Sequence, residues 1–522
     1  MTRVPILLVL LALLHTGCES AHWVDSADRD VEAVLAEKSA AFEEFRQNGL
    51  ILKGMEAPER DDAAEEDLSG IPTEMGLRET LAVAVKRNRT YISERESLYI
   101  AALNLTRVRN DFSTVFSGAL SAVLSDSDDS NHVDRETLRL GASRILPTGG
   151  TVSLDGSTTV TGDGGRGGSS FDSDVTVSLN QPLLRDSGYE TSHEALTQSE
   201  RNVVYAIRDF ELFREDFTID ILGRYYSLVR QLREIANAES NLKSRERTLR
   251  QSEALFEVGD AKEADKLRAE REFLGAQNDL LTLRESYSLA VDRLKIQLGL
   301  PMSFPLVIRP EEPVFSDLDI DLRKAVDAAL NNRIDLLTAR DVLEDAERGV
   351  RIVKDRLLPD LDLSAGYTVR TPSSREFGRE GFKDENYTLG LTLEIPLERT
   401  RERNDFRRAL IDLDRARRTH QLATDNVILS VRSSLRRLRR AGSSLTIREQ
   451  EVEAAERELR AAQYRFEEGE ADNRNVSDAQ NALLRSRNSY ISDLVEYELA
   501  RIQLIRDVGI LFIDENGMVV EP

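Results

Sequence analysis

The residue types that ordinarily make and break bonds are few and scattered in this chain. Its five histidines (His15, His22, His132, His193, His420) stand far apart, and none pairs with another at metal-ligand spacing. Gly162–Gly168 is rich in glycine, but no Walker-type lysine follows it. It lies between strand-like stretches, so it reads as a loop rather than a phosphate cradle. One cysteine rules out an intrachain disulfide and any Cys-based metal site. The arginine run Arg432–Arg440 has a spacing that spreads charge around a helix, suited to interhelical salt bridges. A secreted enzyme with helical insertions would lack a catalytic constellation here, and no cofactor is expected.

The one residue placed for covalent chemistry is Cys18. It follows the apolar run Ile6–Leu14, with Arg3 ahead of that run and Thr16-Gly17 just before the cysteine. A positive start, a short apolar core and small residues make residues 1–17 a signal peptide. Nine apolar residues are about half of the ~20 that a spanning helix needs. Cysteine directly after Gly17 resembles a bacterial lipobox, in which that cysteine is acylated. His15 stands where leucine is usual, with Leu14 one place further out. Two or three acyl chains on Cys18 would anchor the protein firmly to a membrane.

Bulk properties narrow the class. The chain has 522 residues, 40% of them hydrophobic and 31% charged. Long helices sharing a narrow apolar seam give that balance; three ordinary globular cores would not. A net charge of −23 argues against a nucleic-acid partner and against adsorption to anionic lipid. No other run approaches membrane-spanning length as a helix. If the chain crosses a bilayer, it does so as strands of a closed barrel.

The elements repeat. Phe256-Glu257-Val258-Gly259 is followed 40 residues later by Leu298-Gly299-Leu300, and Phe466-Glu467-Glu468-Gly469 by Val508-Gly509-Ile510 at the same interval. The two sets lie 210 residues apart, too long a period for a solenoid, so the chain reads as two halves of one pseudo-symmetric body. Each half opens on a helix, where Ala84–Arg89 resembles Ala328–Arg333. The periodicity then changes to alternation. Leu361, Leu363, Ala365, Tyr367 and Val369 alternate with small or polar residues, as do Tyr387, Leu389, Leu391, Leu393 and Ile395. Strands of nine or ten residues with one apolar face are long enough to cross a bilayer when tilted. In the first half, strand-like stretches occur near 112–124, 138–146, 151–160 and 175–179. Each strand region ends at a proline, Pro182 or Pro396, and no proline interrupts the segments from Leu183 to Leu300 or from Leu397 to Glu521. A helix running from either proline to the next glycine turn would be about 110 Å long. The domains are thus 18–75, a polar leader and linker carrying the lipid; 76–301, a first repeat with a β region at 112–181 and a helical hairpin at 183–300; and 302–522, a second repeat with strands at 361–395 and a hairpin at 397–512.

Strand region, long helix, glycine turn and return helix, occurring twice, resemble the TolC family of outer-membrane efflux proteins. The residues that carry the resemblance, over about 76–515, are the opening Ala-x-x-x-Asn helices, the junctions Gln181-Pro182-Leu183-Leu184 and Ile395-Pro396-Leu397, and the tip Phe466–Gly469 with Asp478-Ala479-Gln480. The Leu146–Gly150 turn is like that of family members with an expanded first strand region. The resemblance implies a mainly α fold with a β-barrel: a homotrimer with a long coiled α-helical barrel in the periplasm and a shared transmembrane barrel, four strands from each of three chains. The first strand region is about 30 residues longer than the second, which either adds a hairpin to the barrel or lengthens an extracellular loop.

The resemblance also implies where function would lie. Two aspartates just after the second tip constrict the aperture in the family. Carried over through Gly469, one position is Asp478 and the other is Asn475, a departure; Asp472 and Glu470 move acidic character toward the turn, and Asp265 is the first-repeat equivalent of Asn475. Rings of carboxylates attract cations and restrict passage. Val258, Gly259 and Gly469 at the hairpin tips would meet a periplasmic adaptor coupled to an inner-membrane transporter. The expected function is the exit duct of a tripartite efflux or type I secretion system, lipid-anchored in the bacterial outer membrane. The competing reading is a periplasmic coiled-coil lipoprotein, an adaptor or scaffold without a pore.

Overall fold

The computed structural model describes residues 20–46, 68, 70–125, 133–163, 168–313, 315, 320–372, 381–468, 470, 472–514 and 516–520. Cys18, the signal segment and Gly469 lie outside the described residues. In chain order the elements are α1 (Ser20–Arg46), β1 (Glu74–Met75), α2 (Leu77–Arg87), α3 (Arg89–Asp111), β2 (Val115–Ser125), β3 (Val133–Ile145), β4 (Thr151–Asp163), β5 (Gly168–Pro182), α4 (Tyr189–Ser192) and α5 (Glu194–Glu257). There follow α6 (Glu263–Gln297), β6 (Val307–Ile308), α7 (Leu322–Asn332), α8 (Ile334–Asp355), β7 (Asp360–Arg370), β8 (Asp384–Glu394), α9 (Thr400–Glu467), α10 (Asn473–Val508), β9 (Phe512–Ile513) and β10 (Val519–Val520).

The long helices α5 and α9 hold 64 and 68 residues, about 96 and 102 Å. Each return helix, α6 or α10, covers roughly half that length. The rest of each long helix is flanked by an opening pair, α3 beside α5 and α8 beside α9. The first hairpin starts later than the proline rule suggests. After Pro182 the chain spends residues 183–188 on a turn, with Asp186 at φ 59 and Gly188 at φ 88, before α4 and α5 begin.

The opening helices break at the same place in each half. Asn88 ends α2 at ψ 123, caps α3 by accepting from Tyr91 N at 2.8 Å, and donates to Gln297 O at 2.6 Å. Its counterpart is Arg333 (φ −68, ψ 121), not Asn332, which is still helical. The true correspondence is therefore Ala84 with Ala329, both fully buried, one residue away from the alignment the sequence suggests. Gly299 and Gly509 press against these breaks. A Cβ on Gly299 (φ +65) would lie 2.2 Å from Arg87 O, and one on Gly509 (φ +76) 3.1 Å from Arg333 N.

The core lies in this belt, where all the helices run side by side. Val203, Ile207, Ile221, Leu222 and Tyr225 line one stripe of α5 and pack with Leu81, Leu105, Leu294 and Leu298. A second cluster joins Val427, Val431, Leu435 and Leu438 of α9 to Tyr497 and Leu504 of α10. Tyr225 is fully buried; its hydroxyl donates to Arg309 O at 2.6 Å and accepts from Glu311 N at 3.2 Å.

Six strands form one antiparallel sheet of order β2-β3-β4-β5-β7-β8, apart from the short pairs β1–β6 and β9–β10. The family pattern implied four strands per chain; among the described residues this sheet has six. The extra length of the first half is thus a hairpin within the sheet rather than a longer loop. The β3–β4 turn sits at the helix end of the sheet, where Gly188 N donates to Thr148 O at 2.9 Å.

Candidate functional site

The two hairpin tips are built alike, 210 residues apart. At the first, Asp260 N donates to Leu255 O at 2.9 Å; at the second, Glu470 N donates to Arg465 O at 2.8 Å. These i to i−5 bonds close the helix ends, and Gly259 supplies the left-handed backbone at φ 86. Val258, 71% exposed, projects from the first tip. Lys266 stands 5.6 Å from the Phe256 ring centroid and braces the turn.

Asp472 is the N-cap of α10. Its carboxylate accepts from Arg474 N at 3.0 Å and from Asn475 N at 3.3 Å, which commits it to holding the helix start. The equivalent Lys262 makes no such side-chain bond. Past the cap, α10 has two faces. Asn473, Val476, Ser477, Ala479 and Gln480 are buried, whereas Arg474, Asn475 and Asp478 are exposed. Asp478 meets Arg474 at 3.7 Å with both side chains about 70% exposed, a contact that water screens. Glu470 is exposed on the turn itself. Asp265 is half-buried and paired to Arg268 at 3.4 Å. The fold therefore brings Asn475 and Asp478 to one open face, with Glu470 near the turn, and withdraws Asp472 and Asp265 into local bonds. From Arg465 to Asp478 five carboxylates face two arginines, so the second tip is acidic.

The tips also touch. Asn473 Nδ2 donates to Asp265 O at 3.4 Å. Further from the turn, Arg245 of α5 is buried against α10, donating to Glu272 Oε2 at 3.0 Å and Asn481 Oδ1 at 2.7 Å. Burial lowers its guanidinium pKa, opposed by the charges of Glu272, Asp279 and Asp478. Gln480 Nε2 donates to Ser244 Oγ at 2.8 Å, and Asn237 Nδ2 to Asn488 Oδ1 at 2.8 Å. Sequence reasoning missed this polar seam. Ala238, Arg245 and Ser252 are spaced in heptads on the buried stripe of α5, and an arginine on such a stripe was the available signal.

At the opposite end, the sheet has two unlike faces. The register puts Phe116 and Leu120 of β2 in line with Leu138 and Leu140 of β3, Leu154 of β4, Val177 of β5, Tyr367 of β7 and Tyr387 and Leu389 of β8. All of these are exposed. The other face carries hydroxyls and charges that bond across strands, as in Thr137–Thr159 at 3.2 Å, Ser157–Asp174 at 2.6 Å and Thr176–Thr368 at 3.0 Å. An apolar face outward and a polar face inward is the pattern of a barrel wall in lipid. Among the described residues no helix is long and apolar enough to cross a membrane.

Comparison with known proteins agrees with this geometry. Residues 135–300 and 325–509 match the family model described as outer membrane efflux protein. Nodulation protein T of Rhizobium leguminosarum bv. trifolii is 23% identical over 374 residues, 69% of this chain and 76% of that protein. Among solved structures, the outer-membrane channel OprN has a TM-score of 0.62 at 17% identity, covering 83% of this chain and 89% of its own. The outer membrane protein VceC of Vibrio cholerae has the same score and identity, covering 83% and 96%.

Proposed function

Because the chain belongs to the outer membrane efflux protein family and is an outer-membrane channel, we propose that three copies form the exit duct of a tripartite efflux or type I secretion system. The observation that carries this reading is the polarity of the long axis. A one-layer sheet with an exposed apolar face stands at one end, the paired hairpin tips with the acidic second tip at the other, and helices of about 100 Å join them. The sheet sits in the outer membrane and the helices extend through the periplasm. Acyl chains on Cys18 hold the leader at the same membrane.

Passage through such a duct breaks no bond; the protein supplies a wall, a constriction and a docking surface. Asp478 from three chains, with Asn475 beside it and Glu470 at the turn, rings the narrow end and favours cations over anions. The tips, led by Val258, Gly259 and Gly469, meet a periplasmic adaptor that couples the duct to an inner-membrane transporter. Widening requires α10 to shift against α5. Toward the tips that seam is rich in hydrogen bonds, which water or new polar partners replace at less cost than a packed apolar core.

The test is single-channel conductance in planar bilayers, wild type beside Asp478→Ala. A cation-selective conductance that rises, or loses divalent block, in the variant is the expected result. A folded trimer without conductance would instead indicate a scaffold.

A further inference from the structure

The open sheet has two outer edges, β2 and β8, and each is eleven residues long. Resting on the trimeric duct proposed above, we propose that β8 of one copy pairs antiparallel with β2 of the next, closing an eighteen-stranded wall. Val115 then lies opposite Glu394, and Ser125 opposite Asp384.

The register leads to this pairing. Starting from Val115, the ladder runs through Ser143, Ser153, Ser178 and Gly366 to Thr388, six residues short of the end of β8 at Glu394. The lower ends of the strands thus step progressively down the ladder. Full overlap of β8 with β2 converts that step into a shear of six residues per copy and keeps both rims level. One residue of shear per strand corresponds to a tilt of about 35°, within the range of membrane barrels. The same register keeps the faces in phase: Phe116 meets Leu393 and Leu120 meets Leu389 on the apolar side, while Ser121 meets Thr388 on the polar side. A shift by one residue would place leucines in the lumen.

Two observations hold the added hairpin in the wall. Strands β2, β3 and β4 carry the same apolar row as the others, with Leu120 facing Leu138, Phe116 facing Ala142 and Ala142 facing Leu154. The β3–β4 turn is bonded to the helix end through Thr148 and Gly188. The widths also agree. Four helices of each copy reach the sheet (α3, α5, α8 and α9), spanning about 36 Å of arc at ordinary helix spacing. Six strands at this tilt span about 35 Å, but four span only about 23 Å. An eighteen-stranded wall is about 33 Å across between backbone axes, against about 22 Å for twelve strands. The outlet is then wide, and selection falls to the tips.

Two double variants test this in native outer membranes: Ser121→Cys with Thr388→Cys, and Ser117→Cys with Thr392→Cys. The expected result is that mild oxidation moves most of the protein to a reductant-sensitive species of three times the chain mass, while each single variant stays at the chain mass. Electron cryomicroscopy of the wild type in nanodiscs, viewed down the barrel, is expected to show eighteen strands. A cross-linked species that stops at two chains, or a conducting trimer that cross-links at neither pair and shows twelve strands, would overturn the inference while leaving the duct standing. A folded protein that neither conducts nor cross-links would remove the duct reading along with it.

Discussion

Arg245 of α5 donates to Asn481 of α10 at 2.7 Å, joining residues 236 positions apart at a point where the two repeats meet. The same guanidinium reaches Glu272 of α6, so one side chain gathers three helices above the tips. Its surroundings are polar, and the large apolar clusters lie elsewhere, in the belt around Tyr225 and Leu435. The tip end of the protein is therefore pinned by a few discrete bonds, and the belt by packing.

Replacing Arg245 with Ala should loosen the tips without unfolding the belt. The change leaves Glu272 and Asn481 short of a buried partner, a local cost of about 2–3 kcal/mol. Amide exchange along 477–488 should accelerate by one to two orders of magnitude while exchange around Tyr225 stays as in the wild type. Equal acceleration in both regions would mean that the seam and the belt open together.

Tyr225→Phe should destabilise the belt by about 1–2 kcal/mol, because Arg309 O and Glu311 N lose the hydroxyl of a buried side chain. Burial has already pushed this phenol up to about 12, as expected for a hydroxyl held neutral. Chemical unfolding in detergent, compared with an exposed control such as Tyr464→Phe, reads the difference.

The glycines of the two hairpin ends should respond unequally to alanine. Gly299→Ala puts a Cβ into the Arg87 carbonyl at positive φ and should abolish assembly or cost several kcal/mol. Gly259→Ala faces open space and bears only the cost of left-handed backbone, about 1 kcal/mol. Yield of heat-resistant oligomer for the two variants provides the comparison.

Acid should weaken the belt through Asp335. Partial burial raises its pKa, but the hydrogen bond from Arg333 Nε at 2.9 Å and the charge of that guanidinium more than offset this, so the carboxyl lies below its usual value. A depressed folded pKa means that the stabilisation is fully present above the unfolded value near ~3.9 and is lost as pH falls through the folded value. Asp335→Asn should cost about 1 kcal/mol at neutral pH, since the carboxylate is partly exposed and screened. The variant should also show a shallower loss of stability as pH falls below the unfolded carboxylate value. Parallel wild-type and variant slopes in pH-dependent unfolding would assign the acid sensitivity to another group.

Much of the fold is legible along the chain because its determinants are local. Glycines at 259, 299 and 509 mark turns through a backbone conformation that other residues resist. Pro182 and Pro396 mark where strands stop, and the alternation at Leu361–Val369 marks a two-faced strand whatever its neighbours are. What depends on residues hundreds of positions apart was not legible. Asp472 reads as a carboxylate near a constriction, yet its role as a cap follows from the backbone of Arg474 and Asn475. The opening helices align by Ala84 and Ala329 rather than by their asparagines, because Gln297 holds one break and Ser430 the other. The enlarged first strand region could have been loop or sheet; ladder bonds from β2 through β5 to β7 made it sheet. Arg245 looks like any helix-surface arginine until α10 lies across it. Local sequence determines which backbone shapes each segment can take, whereas burial and partner choice are set by the surfaces that meet when the two repeats pack, and those exist only in the folded chain.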